Sequence, residues 1–597
     1  MTTTDGAAAL PGAGAAGPPG QHTPAGLTKR SRAARRRTVL ALARVEARLL
    51  IRNWLVLAGV LAGGIVIWTF LWAAQPLWWD ADWQIGEGQL TLAMAVLVAA
   101  QLSAGRPRRD AMTDLYASFP ARASTRTLAQ LAGLAGAVPA SLLLIGAAVG
   151  FVQLRGPIGA PSVAVLAGGL LLVIAAGAAG IAIGARFSHP MAGVLGALVL
   201  AITSWQSQRF PGAIPWLLAW PLESNGTGQL DRLPGPLAGY PPAAAHAAEL
   251  AGVAVLAGIV ALAVTTRRAR AGLAAAGAVA MAVTCLAGAV QLRPIPTADL
   301  NHLVAEAASP ASAQHCTTAS QVRYCLYPGF GRDLPALEAP VDEVLAHLPA
   351  RPSQPLTVLQ VLTIFLSDPV LTHGHPAQQI ARWAAQLQHA QPGVSDIPAA
   401  SGIYLPVGSW PAGGGLLTVA RFDLALAAAE WAVHLSGTSG ISSNGLESCV
   451  PVGQAREAVA IWLAILATHP SASELQGGLP AGHLFGTEVG NTIVPTWNYP
   501  GVGNGYVTPP GGGPQLTAAG YLLASAMTRL PQQRVAHVLA GVWGKWLNWR
   551  TTDAQLAAAL AIPMPSVPAI PPHPSPGRVA PGPGPEGPGP QSPVCTG

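Results

Sequence analysis

Between residues 54 and 290 charge is nearly absent outside short loops, and the sequence breaks into seven apolar runs, each near the length that crosses a bilayer. A helix rises about 1.5 Å per residue and the hydrocarbon core is about 30 Å thick, so roughly 20 apolar residues suffice. The runs cover residues 54–74, 85–105, 127–154, 161–185, 190–206, 243–265 and 272–290. Hydrocarbon offers no partner to backbone amides and carbonyls, so each run must be helical. The fifth is short, the second carries Glu87 at its outer end, and Pro139 interrupts the third. Neighbouring helices can satisfy the groups that such a proline frees. The expected fold class is all-α: a polytopic membrane helix bundle of about seven spans, followed by a second, aqueous half.

Lysine and arginine set the expected orientation, because short cytoplasmic loops collect them. With the N-terminus inside, the inner segments hold Lys29, Arg30, Arg32, Arg35, Arg36, Arg37, Arg44, Arg48 and Arg52, then Arg106, Arg108, Arg109, Arg122 and Arg126, then Arg186, Arg267, Arg268 and Arg270. The outer loops hold Arg155, Arg209 and Arg232, so the ratio is eighteen to three. Trp72, Trp78, Trp79 and Trp83 cluster where an outer aromatic belt belongs. The net charge of +7 therefore answers to a lipid bilayer and not to nucleic acid. An odd number of spans places everything after Arg293 outside the cytoplasm of a plasma membrane.

Cysteine usage agrees with that placement. Cys316, Cys325, Cys449 and Cys595 follow the last span, and Cys285 is expected to be buried within it. An even number outside the cytoplasm suits disulfides. Cys316 and Cys325 bracket a short polar stretch and can close a small loop; Cys449 with Cys595 is the leftover pairing, and free buried thiols are the other reading. The Gly/Pro-rich start is not a cleavable signal. Residues 1–37 are expected to form a basic, structureless cytoplasmic segment, and residues 38–53 an amphipathic helix at the inner interface.

The most informative segment is the loop between the second and third spans, Arg106-Pro-Arg108-Arg109-Asp-Ala-Met-Thr-Asp114-Leu115-Tyr116-Ala-Ser-Phe119-Pro120-Ala-Arg122-Ala-Ser-Thr-Arg126. It predicts a short helix over 110–118, stopped by Pro120, and a new helix capped by Ser124 or Thr125. Residues 108–129 resemble the first cytoplasmic loop of actinobacterial type-2 ABC-transporter permeases: a basic pair, small residues, an acidic-leucine step, a small-apolar-proline step, then Arg-x-Leu-Ala. That resemblance implies a coupling helix seated on a separate ATPase subunit, with Arg108, Arg109, Asp114, Leu115, Tyr116, Phe119, Pro120 and Arg126 as the docking residues. It also implies an interfacial elbow at 38–53, short re-entrant outer helices matching 210–221, and a homo- or heterodimer of permease subunits. The family core has six spans with both termini inside, and this chain adds a seventh and an outer domain.

Several chemistries are excluded by missing residues. A P-loop needs a lysine after glycine and before serine or threonine; Lys29 precedes Arg30 and Lys545 precedes Trp546, so ATP hydrolysis must come from another polypeptide. Intramembrane carboxylates, the usual proton relays, reduce to Glu249, which is expected to serve packing or an outer cavity. No His-Glu-x-x-His pattern occurs, and residues 436–440, Ser-Gly-Thr-Ser-Gly, lack the nucleophile-elbow spacing. No metal, cofactor or catalytic residue is expected; His373 and His375 lack further ligands, and His434 is expected to pack or face solvent.

Residues 293–563 are expected to form an extracytoplasmic, mainly helical domain, with helices near 356–366, 377–389, 417–435, 455–469, 518–530 and 533–549. Trp543, Trp546 and Trp549 fall at three-residue steps, as a core stripe or a docking face. Thr551 or Thr552 caps a last helix with Asp553 in its first turn. Residues 564–597 are Pro/Gly-rich and expected to be disordered. The function expected is the permease subunit of an ABC-type exporter; the alternative is a membrane-anchored extracytoplasmic binding or sensor protein without transport.

Overall fold

The computed structural model describes residues 25–73, 78–112, 114, 118, 121–207, 243–266, 270–291, 293–310, 313–350, 355–361, 374–390, 402–406, 414–434, 455–469, 487–489, 492–494, 516–548 and 550–565. The first half is entirely helical there. Helix α1 spans Ala25–Ile51, α2 Trp54–Ala73, α3 Trp78–Arg109, α4 Ala123–Gly133, α5 Val138–Leu154, α6 Val163–Arg186, α7 Met191–Ser207, α8 Ala243–Thr265 and α9 Arg270–Gln291.

Among the described residues five stretches are long and apolar enough to cross a membrane: Ala81–Arg109, Ala123–Leu154, Val163–Arg186, Ala243–Thr265 and Ala271–Gln291. Ala33–Ile51 and Trp54–Thr69 pass the same test together as a pair bent by 52°, which raises the number to six. The fifth expected span is the shorter apolar helix Met191–Ser204. The chain is therefore mostly helical with several membrane-length helices, as a membrane protein requires.

Local chemistry explains the breaks. Asn53 sits between α1 and α2, and its Oδ1 accepts the Leu55 amide at 2.9 Å, an N-cap that starts a new helix in a new direction. The expected structureless segment up to residue 37 is helical from Ala25 onward. After Gly26 it lacks Gly and Pro, and its alanines and arginines favour helix. The third span bends through a 3-10 turn at Leu134–Gly136, because Pro139 has no amide and its ring crowds the carbonyl four residues back.

Helix α3 is the centre of the bundle, packed along α2 and α6, while α8 packs along α6 and α9. The α3–α6 contact is a glycine seam. A Cβ at Gly177 would come within 3.1 Å of Val96 Cγ1, one at Gly180 would overlap the Leu97 carbonyl, and one at Gly184 would meet the Gln101 carbonyl. Absent side chains let two backbones meet, which is how helices associate where lipid removes the hydrophobic drive. Cys285 lies on the exposed face of α9, not buried as expected; the face that packs on α8 carries Ala280 and Thr284 instead.

The second half differs more from expectation, since it contains a sheet. Strands β1 (His315–Ala319), β2 (Val322–Leu326), β3 (Leu356–Val361) and β4 (Gly402–Pro406) lie in that order. The first pair is antiparallel and the next two are parallel. Helix α11 (Leu334–His347) connects β2 to β3, following α10 (Thr297–Ala308), and α12 (Ala377–Ala390) connects β3 to β4. The helix expected over 356–366 is thus strand β3 as far as Val361. Parallel strands are covered on both faces and read as continuous apolar runs, which spacing alone cannot tell from a buried helix.

β1 and β2 turn through Ser320 and Gln321, with φ of 49° and 74°, a two-residue turn of the type that matches strand twist. The disulfide Cys316–Cys325 bridges directly opposed positions of this hairpin. Helices α13 (Gly414–Ala432), α14 (Ala455–Thr468), α15 (Ala518–Thr528), α16 (Gln532–Gly541), α17 (Trp543–Trp546) and α18 (Asp553–Leu560) complete the domain. A small three-stranded sheet is formed by β5 (Thr487–Val489), β6 (Thr492–Val494) and β7 (Leu516–Thr517). One core unites the four-stranded sheet with α10–α14 and the C-terminal helices. Trp546 is buried in it and Trp543 packs against it, so these two belong to a core stripe; Trp549 lies outside the described residues.

Candidate functional site

The helices alternate in direction, which gathers the basic residues at one end of the bundle. Arg106, Arg108 and Arg109 close α3, and Arg186 closes α6. The guanidinium of Arg108 donates to the Arg186 carbonyl at 3.3 Å, so the two helix ends are adjacent. Arg109 pairs with Asp110 at 3.1 Å. At the same end Ser103 Oγ donates to Glu46 at 3.1 Å, joining α3 to α1, and Gln101 donates to the His189 carbonyl at 3.0 Å, fixing the turn into α7.

Of the expected docking residues, Arg108, Arg109, Asp114 and Arg126 are described. Asp114 and Ser118 have helical backbone and are exposed, and Arg122 is the N-cap position of α4. Leu115, Tyr116, Phe119 and Pro120 lie outside the described residues, as do Cys449, Cys595, His373 and the segment 210–221 expected to be re-entrant.

The opposite end carries a buried polar cluster that sequence reading touched only through Glu249. Gln291, the last residue of α9, donates its amide to Glu249 Oε2 of α8. Its oxygen must then accept, and it lies 3.0 Å from His246 Nδ1. This fixes the neutral His246 as the Nδ1–H tautomer, leaving a lone pair on Nε2, which is buried without a partner. His246 and Glu249 are 3% and 6% exposed. A second pair is reciprocal: Ser141 Oγ donates to Gln89 Oε1 at 2.7 Å, and Gln89 Nε2 donates to the Ser141 carbonyl at 3.2 Å. Gly169 of α6 leaves the space that Gln89 uses, since a Cβ there would lie 2.9 Å from Gln89 Cγ. Such cross-links tie α8 to α9 and α3 to α5, a packing role for Glu249. Their sequence signal was available: a His-x-x-Glu pair and lone glutamines inside otherwise apolar helices.

At this end the loop 155–162 joins the two halves. Trp78 donates its amide to the Ile158 carbonyl at 3.0 Å, Asp82 accepts the Ser162 amide at 2.8 Å, and Ile158 belongs to the core of the second half. Arg155 donates to the Leu71 and Trp72 carbonyls. His375 bonds the Ile295 carbonyl at 3.0 Å through Nε2 and stands edge-on to Trp383, so it fastens the connector.

Within the second half, Asp553 opens α18, where Thr552 and Gln555 form a capping box. Both its carboxylate oxygens are buried without a hydrogen-bond partner, and burial pushes its pKa up to about 6. Burial also raises Glu306, which His302 partly offsets. Arg456, lowered by burial, donates to the His434 carbonyl at 2.8 Å. Among the described residues no three of His, Cys, Asp and Glu gather as a metal site. The arrangement can anchor elements to one another. No protein-family model, no curated protein and no solved structure matches this chain.

Proposed function

We propose that this chain is the membrane-spanning permease subunit of an ABC-type exporter, coupled through the loop 106–126 to a separate ATPase. The observation that carries the reading is that loop: an exposed helical stretch at Asp114 and Ser118, between two membrane-length helices and beside the gathered arginines of α3 and α6. Short basic loops stay on the cytoplasmic side, where an ATPase works. The 52° bend between α1 and α2 supports the elbow that the family resemblance implies.

On this reading the N-terminus is cytoplasmic, seven helices cross the plasma membrane, and the disulfide-bearing second half lies outside. Nucleotide-driven closure of a dimer of ATPases would press on the loop and tilt α3. The apolar bundle favours a hydrophobic or amphipathic substrate. The second reading, an anchored envelope-binding protein, draws support from the extensive core of the second half.

Co-purification separates the two. A Walker-motif ATPase expressed with the chain should remain bound through detergent extraction, and Asp114→Arg should release it while the permease stays folded. Retention by the variant would remove the loop from the docking surface. Cysteines placed at Arg293 and Arg122 should react with an impermeant thiol reagent from opposite sides of the membrane; labelling from one side only would refute the topology.

A further inference from the structure

A groove of about 670 Å³ runs between α6 and α7, closed at its back by α3 and α8. Its floor is Leu172, Ala176, Ala179 and Ile183 of α6, and one wall is Leu195 and Val199 of α7. The lining is apolar along its length and ends at Phe187, so along α6 it covers about 22 Å at 1.5 Å per residue. One leaflet's hydrocarbon is about 15 Å deep, so an extended acyl chain fits within it.

The mouth at Phe187 is charged. The Arg186 guanidinium lies over the Phe187 ring, 5.4 Å from its centre, and Arg108 reaches the Arg186 carbonyl. Among the described residues no carboxylate pairs with either; Asp110 is taken by Arg109. The Arg108 guanidinium touches the backbone of the residue that carries the second guanidinium, Arg186, and this basic end of an acyl-length groove complements a phosphodiester carrying a hydrocarbon tail.

We propose that this groove binds one anionic phospholipid, its phosphate held by Arg108 and Arg186 and one acyl chain lying along α6. The site requires that the bundle lie in a bilayer; it does not depend on the ATPase assignment. Basic clefts between membrane helices at the cytoplasmic interface hold anionic headgroups by the same charge pairing.

The test uses the full chain, delipidated in detergent and titrated with phosphatidylglycerol, phosphatidylcholine or inorganic phosphate, with bound ligand read by native mass spectrometry. Phosphatidylglycerol should bind more tightly than phosphatidylcholine. Arg186→Gln should weaken it about fivefold, and Arg108→Gln with Arg186→Gln about twenty-five-fold, while phosphatidylcholine binding stays as it was. Ala179→Phe, which fills the floor, should weaken both lipids; the arginine variants, at exposed positions, decide the matter if that protein fails to fold. Equal binding of the two lipids, or unchanged phosphatidylglycerol binding in the double variant, would overturn the site. Inorganic phosphate binding as tightly as the lipid would overturn the groove's part in it.

Discussion

Trp78 donates its backbone amide to the Ile158 carbonyl at 3.0 Å, and the side chain of Ile158 is buried in the core of the second half. One residue of a short inter-helix loop therefore belongs to two structures at once. Gly329, at φ +91°, makes room for it: a Cβ there would lie 3.0 Å from Ile158 Cγ2. Replacing Ile158 with Ala should cost about 2–4 kcal/mol, the range for a truncated core isoleucine. Hydrogen exchange should quicken in 322–330 as well as at the start of α3. Faster exchange in only one of the two would show that the loop does not join them.

Gln291 spends both ends of its amide on Glu249 and His246. Gln291→Leu leaves both buried polar groups unpaired, at about 1–3 kcal/mol for each such group. Glu249→Gln keeps an acceptor in place and should cost less. Thermal unfolding in detergent micelles should rank the two in that order; the reverse order would mean that the cluster is not held by Gln291.

The bond between Cys316 and Cys325 makes a prediction about compartment as well as stability. Alkylation of denatured, unreduced protein from cells should modify Cys285, which is free, and spare the pair. Loss of so small a loop closure, in Cys316→Ser with Cys325→Ser, should cost about 2–3 kcal/mol on the chain-entropy account. Alkylation of Cys316 and Cys325 along with Cys285 would place the hairpin in a reducing environment.

Asp553 gives the second half a pH dependence of definite sign. Burial pushes its folded pKa up to about 6 from the ordinary aspartate value of 3.8, so the folded state holds the proton more tightly. Stability is complete below about pH 4 and falls as pH rises towards 6. The loss is about 1.4 kcal/mol per unit, about 3 kcal/mol in all, and persists above pH 6. Asp553→Asn should flatten that slope and raise the unfolding temperature at pH 8. A slope unchanged in the variant would assign the dependence to another group.

The bundle was legible because a bilayer demands long apolar helices, and residues 243–265 were read to the residue for that reason. The strands were not. Leu356, Val358 and Gln360 form the buried face of β3 and Thr357 and Leu359 the half-buried one, but a glutamine on the first and a leucine on the second erase the apolar–polar alternation that marks such a strand. The Cys316–Cys325 closure could be anticipated from spacing, but the hairpin around it could not, because Ser320 and Gln321 adopt positive φ without the glycine that announces such turns. At the candidate sites, Arg108 and Asp114 stood out as charges in a short loop. His246, Gln291 and Gln89 did not, because their meeting depends on helix pairing, which no single run of sequence encodes.

The glycines of α6 have a mechanical meaning. With Gly180 seated on the Leu97 carbonyl and Gly184 on that of Gln101, neither helix can roll or slide against the other without collision. The pair behaves as a single rod whose compliance lies at its ends. Trp78, at the far end of α3 from the arginines, bonds Ile158, so a single helix links the basic end to the core of the second half. The second half is thus tied, through Ile158, to the end of the bundle remote from the arginines.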